Sequence, residues 1–352
     1  MPNNNSEKII DLFKQQPRRV LAVQDKDQEF LRNSASGGAF VVFARGVIRR
    51  GGVVYGVALD SSGRAYYCAA TSLEELSRLQ GSKYVQAETN GVFLKVQLSL
   101  EKDRLVLFSG LPCQVFALRS YLEKHEVGTS NLLTCDLVCH GVTDPVLLKM
   151  YFSWMEKRFK AKEHSIVYKF RSKSYKWGYY YSLAFSDRHD KLHSIQGPAF
   201  EDPYYRGYLS GQLFKDRCYS CRFATKERVG DFTIGDYWGI EKVHPEFYSN
   251  EGVSLLMLNS EKSERFFDEY VSEDCRWINS TFEQASVENI NLQAPTRKTE
   301  EGRILSEKVC LAQKNNESDL IFSKLLLEPG IKAAVRRKIP KKLLRLIGKE
   351  FD

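Results

Sequence analysis

The chain has 352 residues, 43% hydrophobic and 27% charged, with a net charge of +8 and eight cysteines. This composition excludes a disordered chain, leaves room for one large domain or two, and contains no apolar run near the roughly 18 residues of a membrane span. The charge is local: Gly330 to Asp352 carries eight lysines and arginines against two acids, so the remainder is close to neutral and specific nucleic-acid recognition is not expected.

Residues 1–33 read as a polar leader with one helical stretch, Ser6 to Gln15, stopping before Pro17. The leader has no secretory apolar core, so a cytoplasmic protein is expected. Thiols stay reduced there, and eight cysteines point to metal or redox chemistry. Ser34 to Phe40 opens an apolar helix that runs to Arg50, where Gly51-Gly52 stops it. Val53 to Leu59 and Ala65 to Ala69 read as strands joined by a turn at Asp60 to Gly63, and Ser72 caps a helix with Glu74 and Glu75 in its first turn. Next come a buried strand (Arg104 to Ser109), a tight turn (Gly110 to Pro112), a helix (Cys113 to Glu123), a strand (Asn131 to Val138) and a helix from Asp144-Pro145 to about Phe159. That alternation predicts parallel strands with right-handed crossovers. Ile166 to Arg171, Tyr179 to Ser186 and Lys191 to Ile195 form a strand-rich region. Strands at Phe232 to Ile234 and Val253 to Asn259, a helix at Ser263 to Ser272 and a helical, basic tail complete the chain. The predicted class is α/β, with a mainly parallel central sheet, flanking helices, an additional strand-rich region and a helical C-terminal tail. The expected segments are 1–33, 34–110, 111–290 and 291–352.

Cys113 and Cys139 each fall just past a predicted parallel strand, on the rim where open α/β sheets bind ligands. Cys218 and Cys221 form a C-x-x-C pair in a loop with Arg217, Arg222, Lys226 and Arg228, cations expected to lower the thiol pKa values and to suit an anionic cluster. Two isolated cysteines plus one C-x-x-C suit an iron–sulfur cluster better than zinc, which usually takes a second knuckle or a histidine pair. Cys135 lies four strand residues before Cys139, too far to share one compact site, and reads as core. Cys68, Cys275 and Cys310 read as small buried hydrophobes.

Other constellations are weaker. Ser36-Gly37-Gly38 at a helix start offers backbone N–H groups to a phosphate, or simply makes a turn. Gly81 to Tyr84 puts Lys83 on a loop suited to a pyrophosphate or an anionic flavin edge, or to solvent. Gly235 to Gly239 carries Asp236 and Trp238 on a constrained loop. His140 is a candidate proton donor or a structural histidine. Phe170-Arg171 and Lys173 place cations near aromatics. There is no G-x-G-x-x-G, H-E-x-x-H or Ser/His/Asp context. The tail from Ile331 to Phe351 reads as an amphipathic helix for a membrane surface, for a partner, or for packing.

Six motifs occur in one family's order: Ser36-Gly-Gly, Gly81-Ser-Lys-Tyr, Ser109 to Gln114, Asp136 to Gly141, Cys218 to Cys221, and Gly235 to Gly239. Over about residues 34–260 the chain resembles the beta subunit of coenzyme F-420 hydrogenase/dehydrogenase. The resemblance implies FAD beside a 4Fe–4S cluster on an α/β scaffold, passing electrons to or from an organic substrate or carrier. It implies Cys113, Cys139, Cys218 and Cys221 as cluster ligands. Flavin contacts are implied at Ser36, Gly37, Gly38, Ser82, Lys83 and Tyr84, with Gln114, Asp236 and Trp238 as further cofactor-binding residues. The cysteine-rich ferredoxin-like module of many relatives is not found, which implies a separate electron carrier such as a ferredoxin. Lys176 stands before Trp177 where relatives often have glycine. Bacterial relatives accompany polysaccharide-biosynthesis proteins, so the deazaflavin is not an assumed substrate. A non-redox or zinc-bound accessory scaffold in surface-polysaccharide assembly is the alternative.

Overall fold

The computed structural model describes residues 11–327; the first half of the expected first helix and the basic stretch Ile331 to Phe351 lie outside the described residues. Chain order gives β1 (Arg19–Asp25), helix α1 (Ala39–Arg49), β2 (Val53–Leu59), β3 (Ala65–Ala70), β4 (Val106–Gly110), α2 (Pro112–Lys124), β5 (Leu132–Leu137) and α3 (Pro145–Phe159). The strand-rich region follows as β6 (Val167–Phe170), β7 (Tyr180–Ser186) and β8 (Leu192–Pro198). Then come α4 (Pro203–Ser210), β9 (Phe232–Asp236), β10 (Ser254–Leu258), β11 (Cys275–Ser280) and α5 (Glu300–Lys314).

Eight strands form one sheet in the order β11-β1-β10-β9-β5-β4-β2-β3, and β6-β7-β8 form a separate antiparallel sheet. The middle of the large sheet is parallel: β2, β4, β5 and β9 all run the same way. The outer pairs are antiparallel. Two antiparallel steps through β10 make β1 parallel to β9, so β1 also ends on the rim where the central strands end. The α/β class is as expected, and the strand–helix–strand–helix unit from residue 104 to 159 forms as read.

Two sheet strands were not foreseen. β1 lies inside the segment read as a polar leader. It is an internal strand buried on both faces, so its short run Val20-Leu-Ala-Val23 shows no alternation. β11 is an edge strand whose side chains are mostly exposed or half-buried, leaving little apolar pattern to read.

Period-two alternation divides the core into layers on the two sides of the sheet. Val106, Phe108 and Leu132 enter one layer with Val115 and Leu118 of α2. Leu107, Leu133 and Cys135 enter the other, with Val42 and Phe43 of α1. There Phe43 stacks on Phe232 at 4.0 Å between centroids. Cys135 is fully buried in this layer, and Cys275 joins it. Cys310 is exposed on α5, contrary to its expected burial; it sits on a solvent-facing position of an amphipathic helix, beside the buried Val309.

Candidate functional site

The central strands deliver their ends to one rim. β4 ends at Gly110, paired with Asp136 of β5, and β5 ends at Leu137, beside Ile234 of β9. Pro112 then occupies the first turn of α2, where its missing N–H is no loss, and places Cys113 at the helix start. Cys139 follows β5 by two residues, and Trp238 follows β9 by two. Ser36 to Gly38 reach the same rim from β1. The Gly37 carbonyl accepts from Asp25 N at 2.7 Å, and Ser36 Oγ donates to the Val253 carbonyl at 2.7 Å.

The C-x-x-C loop is fastened beside Cys139. Lys215 N donates to the Val142 carbonyl at 2.9 Å, and Asp216–Cys218 make a 3-10 turn. Beneath it, the fully buried Arg228 donates to Asp136 Oδ1 from Nε and Nη2 at 3.3 and 3.0 Å. Arg228 also donates to the carbonyls of Leu137, Phe223 and Thr225. One guanidinium therefore ties the segment before Cys139 to the segment after Cys221. The Asp136 carboxylate is completed by Thr233 Oγ1 at 2.5 Å and by the N–H groups of Val229 and Gly230.

Each pair among Cys113, Cys139, Cys218 and Cys221 is close enough for the two thiols to interact electrostatically. Burial pushes Cys113 up to about 11, with Cys221 adding to the rise and Arg217 opposing it. Cys139 and Cys218 are raised as well, first by burial. For Cys218 the expected lowering by the surrounding arginines and lysine is thus corrected. Arg228 turns inward to Asp136, and the desolvation of these thiols outweighs the help of Arg217. Among the described residues, no three His, Cys, Asp or Glu side chains stand at metal-holding distance. The donor set, four thiols from three loops on one rim, nevertheless has the composition that an iron–sulfur cluster takes.

The expected cofactor residues gather on the same rim, but many of their polar groups are already used. A Cβ on Gly37 would run into Val23 O and Ser254 N, so this glycine is required by backbone packing. Gln114 is buried: its Oε1 accepts from Tyr67 Oη at 2.9 Å and its Nε2 donates to the Ala87 carbonyl at 3.3 Å. Lys83 Nζ donates to the Gln80 and Arg78 carbonyls, and burial pushes its ammonium down to about 7. Gln80 in turn reaches Ser34, linking the 81–84 loop to the Ser36 turn. Asp236 is held bidentately by Arg171 at 2.6 and 2.7 Å and by Trp177 Nε1 at 2.8 Å. Ser82 is half-buried in the same loop. The His140 carbonyl accepts from Thr296 Oγ1 at 2.7 Å.

The rim is richest in aromatic faces. Trp238 stacks on Trp177 at 4.8 Å and on Tyr179 at 5.1 Å, with Arg171 over both Trp238 and Tyr179. Arg171 adopts φ +57°, and it also donates to the Ala35 carbonyl, joining the small sheet to the Ser36 turn. The buried hydroxyl of Tyr205 faces Tyr84, with Arg171 and Tyr179 close by. Tyr204, Tyr205 and Tyr208 were not singled out from sequence; the signal available was the run Pro203-Tyr-Tyr-Arg-Gly-Tyr208 behind Asp202, a good helix cap. A cavity of about 340 Å³ lies elsewhere, on edge strand β3, lined by Tyr55, Arg64, Tyr66, Tyr67, Cys68 and Lys95 among others.

These features define an α/β protein with a thiol-bearing, aromatic sheet rim. The family model for the C terminus of the coenzyme F420 hydrogenase/dehydrogenase beta subunit matches residues 103–284, and the chain belongs to that family. It is an oxidoreductase family. Among solved structures, a chain of the F420-reducing [NiFe] hydrogenase complex from Methanosarcina barkeri is similar at 13% identity, covering 88% of this chain and 92% of that one, with a TM-score of 0.49. No curated protein matches the chain. Among the described residues, no helix is long and apolar enough to cross a membrane.

Proposed function

We propose that this protein is an iron–sulfur flavoprotein oxidoreductase that moves electrons between a protein carrier and an organic substrate. The observation that carries the reading is the convergence of Cys113, Cys139, Cys218 and Cys221 on one rim, all within electrostatic reach of one another. These four residues would hold a 4Fe–4S cluster. FAD would lie against the Ser36 to Gly38 turn, the Ser82 to Tyr84 loop and the Trp238 face. The chemistry of the rim fits such a ring system: stacked aromatics and the cations Arg171 and Lys173. Gln114 and Asp236 would act by shaping the rim, since their polar atoms bond within the protein. When bound, the cluster supplies single-electron transfer and the flavin exchanges one or two electrons.

The chain's own residues prepare the site. Arg228 fixes the two cysteine-bearing segments against each other, and Arg217 favours the thiolates that ligation requires. A separate carrier such as a ferredoxin is the expected electron partner. The setting is cytoplasmic, and a role in polysaccharide biosynthesis follows from the company that bacterial relatives keep.

Anaerobic purification or reconstitution, with iron, sulfide, zinc and flavin quantified, tests the reading. About four irons and one FAD per chain are expected, with Cys113→Ser and Cys139→Ser losing the iron and Cys135→Ser keeping it. A colourless protein without iron or flavin refutes the proposal, and zinc without flavin favours the accessory-scaffold alternative.

A further inference from the structure

One face of α4 holds together the two loops to which the proposed function assigns different cofactors. Tyr204 and Tyr208, four residues apart, lie on the same side of that helix. Tyr208 Oη donates to the Gly141 carbonyl at 3.1 Å, and its phenol is within electrostatic reach of Cys139. Its ring stacks on Tyr84 at 4.2 Å between centroids and 16° between planes. Tyr204 Oη donates to the Tyr84 carbonyl at 2.9 Å and accepts from Thr143 Oγ1 at 2.6 Å, with Thr143 Oγ1 also 3.2 Å from that carbonyl. On the cysteine side, Phe214 packs against Tyr208 at 5.1 Å, and a Cβ on Gly141 would run into the Phe214 ring.

We propose that Tyr208 is a positioning residue that couples the Cys139 to Gly141 turn to the Ser82 to Tyr84 loop, and so fixes the spacing between the two redox groups. This inference rests on the proposed function. Ordinary core packing would need only the ring, whereas here the hydroxyl grips the backbone two residues from a thiol while the ring grips the other loop. The two contacts are chemically separable. Tyr208→Phe removes the Gly141 bond and keeps the stack. Tyr208→Leu removes both.

The test uses the full chain reconstituted anaerobically with iron, sulfide and FAD. It reads iron content, FAD affinity by fluorescence quenching, the electron paramagnetic resonance spectrum of the reduced cluster, and melting by circular dichroism. Tyr208→Phe is expected to keep FAD affinity within about twofold and to change the cluster spectrum. Tyr208→Leu is expected to weaken FAD about three- to tenfold, as loss of one aromatic stack implies, with iron content unchanged. A loaded wild type whose Tyr208→Leu variant binds FAD normally, or whose Tyr208→Phe variant has an unchanged cluster spectrum, overturns this inference alone. Should Tyr208→Leu fail to fold, the Tyr208→Phe spectrum still decides. A wild type that takes up neither iron nor FAD overturns the proposed function, and this inference with it.

Discussion

Replacing Arg228 by methionine tests whether the buried Asp136–Arg228 pair organises the rim. Both side chains are almost wholly buried, at 0% and 1% exposure. Methionine fills much of the volume but leaves the Asp136 carboxylate with only Thr233 Oγ1 and the Val229 and Gly230 N–H groups as donors. A buried charge that loses its partner costs about 3–5 kcal/mol. For a chain of this size that corresponds to a melting temperature lower by about 4–7 °C. The carbonyls of Leu137, Phe223 and Thr225 lose their donor in the same step, so both cysteine-bearing segments loosen. Adding Asp136→Asn to Arg228→Met removes the stranded charge while keeping an acceptor for the two backbone N–H groups, and the double variant is expected to melt several degrees above the single one. Thermal and denaturant unfolding followed by circular dichroism, with iron uptake measured on the same samples, provides the assay. A single variant within about 1 kcal/mol of wild type, or a double variant no more stable than the single, would show that the pair does not carry this role.

Other expectations follow from separate parts of the molecule. Burial raises the Asp202 carboxyl to about 6 from 3.8, with Tyr151, Tyr168 and the Tyr205 N–H opposing the rise. Folding therefore takes up a proton between those values, and the contribution of Asp202 to stability is greatest below pH 4. It falls by roughly 3 kcal/mol as the pH rises through 6. Asp202→Asn should flatten that slope in pH-dependent denaturation, and an unchanged slope would assign it to another group. Gly37→Ala should destabilise by several kcal/mol because its Cβ meets backbone atoms, whereas Gly81→Ala, at φ +78° but in open space, should cost only about 1 kcal/mol; equal melting shifts would contradict the packing account. Native maleimide labelling should modify Cys310 and spare Cys135 and Cys275 until the chain unfolds; protection of Cys310 would contradict its exposure.

Much of the rim was legible because its signals are local. Gly110-Leu-Pro-Cys113 announces a strand exit and a helix start, and the same holds for Cys139 after β5. The exclusion of Cys135 followed from strand rise alone, and it lies in the layer under α1 as that argument requires. What could not be read depends on long-range pairing. Arg228 looks like one more loop cation beside Cys221, and only the register of β5 and β9 brings it onto Asp136. Asp236 looks free to meet a ligand until Arg171, 65 residues away in sequence and on the other sheet, takes both of its oxygens. The rise of the Cys218 thiol runs against the sequence expectation for the same reason. Sequence shows which charges are near, but not how far burial outweighs them.

The distribution of these contacts bears on how the site forms. In a zinc knuckle the ligands are local and the metal itself organises the loop. Here the four thiols come from three separate loops, and protein groups fasten the segments around them: Arg228 to both the Cys139 and Cys221 sides, Lys215 N to Val142, and Tyr208 of α4 to Gly141. The ties rest on strands β5 and β9 and on helix α4, whose packing is mainly apolar, with Cys218 only at its margin. Losing a proposed ligand such as Cys113 should therefore prevent cluster loading while leaving the sheet intact, and Cys113→Ser should melt close to the metal-free wild type. Arg228→Met should do the reverse, keeping all four thiols and losing their arrangement. That opposition separates a site preformed by the fold from one folded by its metal.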